Sequence, residues 1–325
     1  MMSRSQSPAI TPGRLLLIYG VAFLVIFVVI PAGLYVACDP ERLDLNQSAR
    51  NSAPGQFVRL SDGFTHYELA GPPAGRLVVL AAGATVPYYI WDPTFAELAK
   101  TGFRVLRYDY YGRGYSDRPD VPFTQELYVR QLTELLDALR ITSRFDLAGL
   151  SFGGAVITSF AARHPSRVRS LVYVDPAFRM PEMLSGLESM PRVWNVVTAV
   201  LDERSWADGQ LNDFIHPERF PDWPDRYRVQ LRYRGFRRSR LSDVVNNVDT
   251  DQRDELQRVG NDPRPVLVVW GKQDPNVPFE LSASLLGVMP SARLVAVEDA
   301  GHLPQWEQPQ VVHPALIEFL REVQP

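Results

Sequence analysis

Six short runs of nearly unbroken apolar residues punctuate this chain: Leu77–Ala81, Arg104–Asp109, Phe145–Gly149, Leu171–Asp175, Val266–Gly271 and Leu294–Val297. They lack the polar alternation of half-exposed strands, so they suit strands buried on both faces of a parallel sheet. Between them apolar residues fall at helical spacing, most clearly over Thr124–Leu139 and Gln310–Val323. Ahead of them, Gln56–Leu60 and Thr65–Leu69 flank Asp62-Gly63. That pattern reads as a β-hairpin whose Asp-Gly pair supplies positive φ angles. Strand–helix alternation behind a leading hairpin predicts an α/β fold with a mostly parallel, doubly wound sheet of about eight strands.

One interval breaks the alternation. About ninety residues separate the run ending at Asp175 from the one starting at Val266, far more than a single crossover helix needs. The excess predicts a helical cap over residues 176–263, inserted after the sixth strand between two parts of a core at 56–175 and 264–325. The cap carries Trp194, Trp206 and Trp223 and the basic stretch 226–240, which reads as a helix face with its arginines paired to neighbouring acids.

At the other end, Leu15–Ala37 runs 23 residues without a charge. A helix of that length spans about 34 Å, against a hydrocarbon core of about 30 Å. Residues 15–37 are therefore expected to form a transmembrane helix or signal anchor, preceded by a tail at 1–14 and followed by a polar linker at 38–55. Arg14 abuts the span, which leans towards an inside N-terminus and an extracytoplasmic catalytic domain. The alternative is a lipoprotein tethered through Cys38, since Tyr35-Val36-Ala37-Cys38 resembles a lipoprotein cleavage box.

Composition removes other function classes. A net charge of −3 gives no support to nucleic-acid binding. A single cysteine excludes an internal disulfide framework and a cysteine metal cage, and five scattered histidines form no zinc-type cluster. Neither a cofactor nor a metal is expected.

The chemistry centres on Gly149-Leu150-Ser151-Phe152-Gly153-Gly154, between an apolar strand and a helical segment. A nucleophile on a tight strand-to-helix turn is held in strained backbone geometry, and only small neighbours avoid clashes there. The helix behind it aims N–H groups and positive dipole at an oxyanion. A serine hydroxyl needs a base, and the base needs an orienting carboxylate. His302 follows the last strand and Asp274 the one before it, both at carboxyl ends of parallel strands, where open α/β sheets place their sites. Asp175, at the end of another strand, is the reserve acid. His66, His164 and His313 read as structural; His216, in the cap, could line a pocket. Asp109 and Asp117 read as holding the Tyr111–Gly114 loop by turn hydrogen bonds.

From about Gln56 onward the chain resembles the α/β-hydrolase fold family, specifically its capped esterase, lipase and carbon–carbon hydrolase branch. The matching pieces are Asp109–Asp117, the elbow around Ser151, Gly271–Pro278 and Gly301–Pro304. The resemblance implies a Ser151–His302–Asp274 triad and an oxyanion hole from backbone N–H groups of Phe152 and of a residue after the first parallel strand. Ala84 is that residue by position, although the sequence reads Ala81-Ala82-Gly83-Ala84 where relatives usually carry His-Gly. A serine at the elbow implies an acyl-enzyme, unlike the aspartate of dehalogenases and epoxide hydrolases. The expected function is a membrane-anchored hydrolase of a lipid-like or hydrophobic ester. The alternatives are a carbon–carbon bond hydrolase or perhydrolase on the same triad, or a hydrolase-like ligand receptor.

Overall fold

The computed structural model describes residues 12–29, 40–178, 203–247 and 251–324. Eight strands form one sheet: β1 (Gln56–Leu60), β2 (Gly63–Ala70), β3 (Leu77–Ala81), β4 (Arg104–Tyr108), β5 (Phe145–Leu150), β6 (Val168–Val174), β7 (Val266–Gly271) and β8 (Arg293–Val297). They lie in the order β1-β2-β4-β3-β5-β6-β7-β8. β1 and β2 pair antiparallel with each other, as do β2 and β4; every later pairing is parallel. The sheet is the one expected.

Burial explains why the strands are where they are. Every residue of β3, β5 and β7 is buried, as helices cover both faces. The edge strands β1 and β8 are each buried at one position only, and charged, exposed Arg59 and Arg293 blunt them against pairing with another chain. The helix Phe152–Arg163 sits at the centre, buried at ten positions from Phe152 to Ala161. The helix Gln125–Ala138 starts where its cap dictates, with the Thr124 side chain accepting from the Leu127 N–H.

The hairpin turn differs in detail from the expectation. Leu60 pairs with Gly63, so Ser61 and Asp62 form the turn, and Gly63 alone has positive φ, at 147°. A Cβ on Gly63 would lie 2.8 Å from the Asp117 carboxylate, which binds the Phe64 N–H. Close approach, as well as conformation, requires the glycine.

The N-terminal reading is corrected. The α-helix there is Pro12–Leu24, 13 residues, followed by a π-helical turn at Val25–Val29. Thirteen residues rise about 20 Å, short of a hydrocarbon core. Among the described residues no helix is long and apolar enough to cross a membrane. The reading of a transmembrane helix or signal anchor at 15–37, and the membrane partner and localisation drawn from it, are corrected on the described residues; residues 30–37 of that span lie outside them. Cys38 lies outside the described residues.

The segment read as a linker is strapped down from Pro40 onward. Leu43 exchanges backbone hydrogen bonds with Arg232 and Arg234, and Glu41 accepts the Gly235 and Arg237 N–H groups. The basic stretch is paired, as expected: Arg226 with Asp92, Arg228 with Asp225, Arg234 with Asp44 and Arg238 with Asp120.

Within 203–247 the chain forms the helices Glu203–Gly209, Trp223–Leu231 and Phe236–Asn247. Many bonds from this segment to the core go to loops at the carboxyl ends of strands. Gln230 donates to Thr85 O, Asp243 accepts from Arg113, and Asp213 O accepts the His302 N–H at 2.8 Å. The helix Arg253–Gly260 instead packs on Phe152–Arg163, where Gln252 donates to Ala155 O.

Candidate active site

β5 delivers Ser151 at the centre of the sheet. Its φ of 52° and ψ of −123° are strained for a residue with a Cβ, and three backbone bonds hold it there. Ser151 N–H donates to Val174 O at 2.9 Å, while Ser151 O accepts from Gly154 and Ala177 N–H at 2.7 and 3.0 Å. The flanking glycines are needed for space, since neither has a positive φ. A Cβ on Gly149 would lie 2.4 Å from Gly153 O, and one on Gly153 would lie 2.6 Å from Ala81 O and from Ala82 O. Sheet, elbow and β3 loop therefore close on one another through backbone.

The β3 loop reaches the same point: a Cβ on Gly83 would stand 3.7 Å from the Ser151 Cβ. Ala84 follows, and Arg113 fixes its carbonyl by an Nε donation at 2.5 Å. Arg113 is buried, paired with Asp243 at 3.2 Å, and Tyr128 Oη donates to the other oxygen of Asp243. The register of the Ala84 loop is thus tied to the cap helix Phe236–Asn247. Phe152 opens the central helix beside Ser151, where the positive end of the helix dipole lies.

Asp274, just past β7, and His302, just past β8, meet at 2.7 Å between Oδ2 and Nδ1. The Asn276 and Val277 N–H groups donate to Asp274 Oδ1 at 2.7 and 3.0 Å. These bonds fix the orientation of the carboxyl group and leave Oδ2 for the imidazole. Burial pulls the His302 pKa down, but the bond to Asp274, its charge and that of Asp213 outweigh burial, so the net shift is upward. Nε2 of His302 has no hydrogen bond to any described residue, which suits a proton acceptor. Ligand atoms of Asp175, Asp274 and His302 come within 4.8 Å of one another. Asp274 already holds Nδ1 of His302, which suits an acid–base relay.

The other candidates fall elsewhere. His66 is locked against Asp109 and Pro54 O, His313 faces the Thr94 hydroxyl, and His164 ends the central helix. His216 pairs with Asp299 on the surface. Asp109 holds its own loop at the Tyr115 N–H, as expected, and also accepts from the Tyr88 N–H, while Asp117 accepts from Arg50. A cavity of about 370 Å³ lies between the hairpin and the cap helix Trp223–Leu231, lined by His66, Tyr88, Tyr89 and Arg226, and no triad candidate borders it.

Two residues escaped the sequence reading. Glu307 accepts the Gly301 N–H at 2.6 Å and the Ile215 and His216 N–H groups at 2.9 and 3.0 Å, joining the histidine loop to the cap segment. Asp213 holds the His302 backbone and accepts from Asn276 Nδ2 at 2.8 Å. Burial raises the Asp213 pKa, which nearby His302 partly offsets. Neither residue sits in a recognisable pattern; both act across long sequence separations.

A family model described as the alpha/beta hydrolase family matches residues 78–315. A 2-hydroxy-6-oxononadienedioate/2-hydroxy-6-oxononatrienedioate hydrolase of Cupriavidus pinatubonensis is 28% identical over 302 residues, covering 84% of this chain and 98% of its own. The enol-lactonase of Burkholderia xenovorans LB400 superimposes with a TM-score of 0.71 at 26% identity, over 82% of this chain and 100% of its own. A thermophilic esterase of Thermogutta terrifontis gives 0.72 at 25% identity, over 83% of this chain and 100% of its own. With the family model spanning most of the chain, this protein belongs to the alpha/beta hydrolase family and is a hydrolase.

Proposed function

We propose that this protein is a serine hydrolase with Ser151 as nucleophile, His302 as base and Asp274 as its orienting acid, and that it cleaves a carbon–carbon bond beside a ketone in a 2-hydroxy-6-oxo-dienoate-type acid. The observation carrying the site is the strained, glycine-flanked Ser151 at the carboxyl edge of the sheet that also presents the His302–Asp274 pair. Support for the substrate class comes from the curated relatives named as hydrolases of such compounds.

In this reading Ser151 Oγ passes its proton to His302 Nε2 as it attacks the ketone carbon. Backbone N–H groups of Phe152 and Ala84 hold the resulting oxyanion. Before cleavage the 2-hydroxy-diene shifts a proton to the carbon beside the ketone, becoming its 2-oxo tautomer. When the carbon–carbon bond then breaks, its electron pair enters that enone as a dienolate, whose oxygen takes the proton held by His302. Water, deprotonated by His302, then releases the acyl group from Ser151 as a carboxylic acid, and the serine regains its proton. Residues 176–263 would select the substrate as a cap.

An ester or lactone reading keeps the same residues with oxygen as the leaving atom, and the likeness to an enol-lactonase and an esterase favours it as the second choice. Turnover of a 2-hydroxy-6-oxo-dienoate and of p-nitrophenyl esters of graded chain length, with Ser151→Ala as control, separates the two. The proposal expects the dienoate to give a kcat/KM at least about a hundredfold higher, near 3 kcal/mol in transition-state binding. Turnover of the esters alone would replace it with the second reading.

A further inference from the structure

Asp175 stands one residue past the end of β6, wholly buried, with a left-handed φ of 42°. Its Oδ1 accepts the Gly271 N–H at 2.8 Å. Its Oδ2 is buried and receives no hydrogen bond from the described residues. An ionised carboxylate oxygen left without a donor in such a place costs several kcal/mol on the general scale for buried charge. A protonated oxygen is itself a donor and needs only an acceptor. The Asp274 carboxyl is its neighbour in the cluster whose ligand atoms fall within 4.8 Å of one another, and the two side chains stand in hydrogen-bonding relation. Asp274 Oδ1 already accepts two N–H groups, whereas Oδ2 accepts only from His302 and keeps a second lone pair to offer.

We infer that Asp175 is a neutral carboxylic acid that donates its proton as a hydrogen bond to Asp274, so that the two carboxyls share one negative charge and Asp175 is a positioning residue for the partner of His302. The inference rests on the triad reading above. Independently of the hydrogen-bond accounting, burial foremost and the charge of Asp274 next push the Asp175 pKa well above the usual carboxylate range, against the opposing Gly271 N–H. The charged or titratable groups facing this point are Asp274, His302 and Glu307, with Asp213 against His302 from the cap side.

The role has a chemical use. A single negative charge orients the imidazole and stabilises its cation. Two ionised carboxylates would hold the imidazolium more strongly. One charge shared over two carboxyls keeps the orienting bond while moderating the attraction.

The test reads the pair without relying on turnover. The imidazole of His302 is titrated by NMR in the full chain, in the wild type, in Asp175→Asn and in Asp175→Gly. The last deletes the carboxyl and tolerates the left-handed backbone. Asn keeps a donor and the net charge, so the His302 midpoint should stay within ~0.3 pH unit of wild type, and Ser151 labelling by a fluorophosphonate within ~3-fold. Were Asp175 ionised, the same change would remove a full charge within 4.8 Å and lower the midpoint by about one unit or more. That result would overturn the inference. Asp175→Gly should label at least ~10-fold more slowly, and labelling at the wild-type rate would refute the positioning role. A protonated-carboxyl stretching band at neutral pH, present in the wild type and lost in Asp175→Asn, reads the same proton by infrared even if the glycine variant does not fold. Its absence from the wild type would also refute the inference. Failure of the triad reading shows differently, as a wild-type adduct missing from Ser151 while the titration and the infrared band still report on Asp175.

Discussion

His66 and His302 each hold an aspartate through Nδ1 at 2.7 Å, and all four side chains are buried. Their second nitrogens meet different surroundings. Nε2 of His66 is taken by Pro54 O at 2.5 Å, and the ring stacks on Tyr88 with Tyr115 against its edge. Asp109 is saturated as well, by Tyr88 N–H on one oxygen and Tyr115 N–H on the other. His302 keeps Nε2 clear of the described residues, in a loop beyond β8 and beside the sheet edge that carries Ser151. A buried histidine–aspartate pair is therefore not a catalytic signature. Closed at both nitrogens it is a staple between segments; open at one, it keeps a nitrogen available to take a proton, as the proposed function requires of His302.

The comparison is broken or sharpened by substitutions made in parallel. His302→Ala should lower kcat roughly a million-fold, while His66→Ala should leave kcat within a few-fold. The His66 variant should instead lose about 3 kcal/mol of stability, because Asp109 stays buried without its partner. Thermal unfolding and steady-state rates on the same preparations check both. Next, Asp274→Asn should cost about 10⁴ in kcat by favouring the wrong tautomer of His302, whereas Asp109→Asn should show mainly in the melting temperature.

The pH dependence comes third in size. Because the His302 pKa lies above the ordinary 6.5, kcat/KM should rise with pH through a midpoint above that value. Stability runs the other way. A pKa raised on folding contributes stability that is complete below pH 6.5 and is lost as pH rises through the folded value. An acid limb at or below 6.5 would contradict the orienting role of Asp274.

Smaller effects belong to the contacts between cap and histidine loop. Glu307→Gln turns one acceptor towards N–H groups as a donor and should cost about 1–3 kcal/mol, with KM rising more than kcat falls. His216→Ala removes a surface pair with Asp299 and should stay within about 0.5 kcal/mol of wild type.

Much of this was legible in the sequence because burial on both faces leaves an unbroken apolar run, which β3, β5 and β7 display. The elbow was legible for a related reason: Gly149 and Gly153 are forced by backbone contact, so they mark the turn in the sequence itself. What bridges distant segments left no local trace. Glu307 joins Gly301 to Ile215, and Arg113 joins Ala84 to Asp243, through pairings set only by the folded chain. The N-terminus misled in the opposite way. An uncharged run reads as one long span, yet the regular helix ends at Leu24 and passes into a π-turn. Length of an apolar run sets what a helix could span, and backbone geometry sets what it does span.

The central claim, that Ser151 is activated by the open pair and not by the closed one, is tested most directly by mapping a fluorophosphonate adduct in wild type, His66→Ala and His302→Ala. The account predicts a single adduct on Ser151, formed at near wild-type rate in His66→Ala and slowed at least about a thousandfold in His302→Ala. An adduct on another residue, or a folded His66→Ala protein that no longer labels while His302→Ala does, would contradict it.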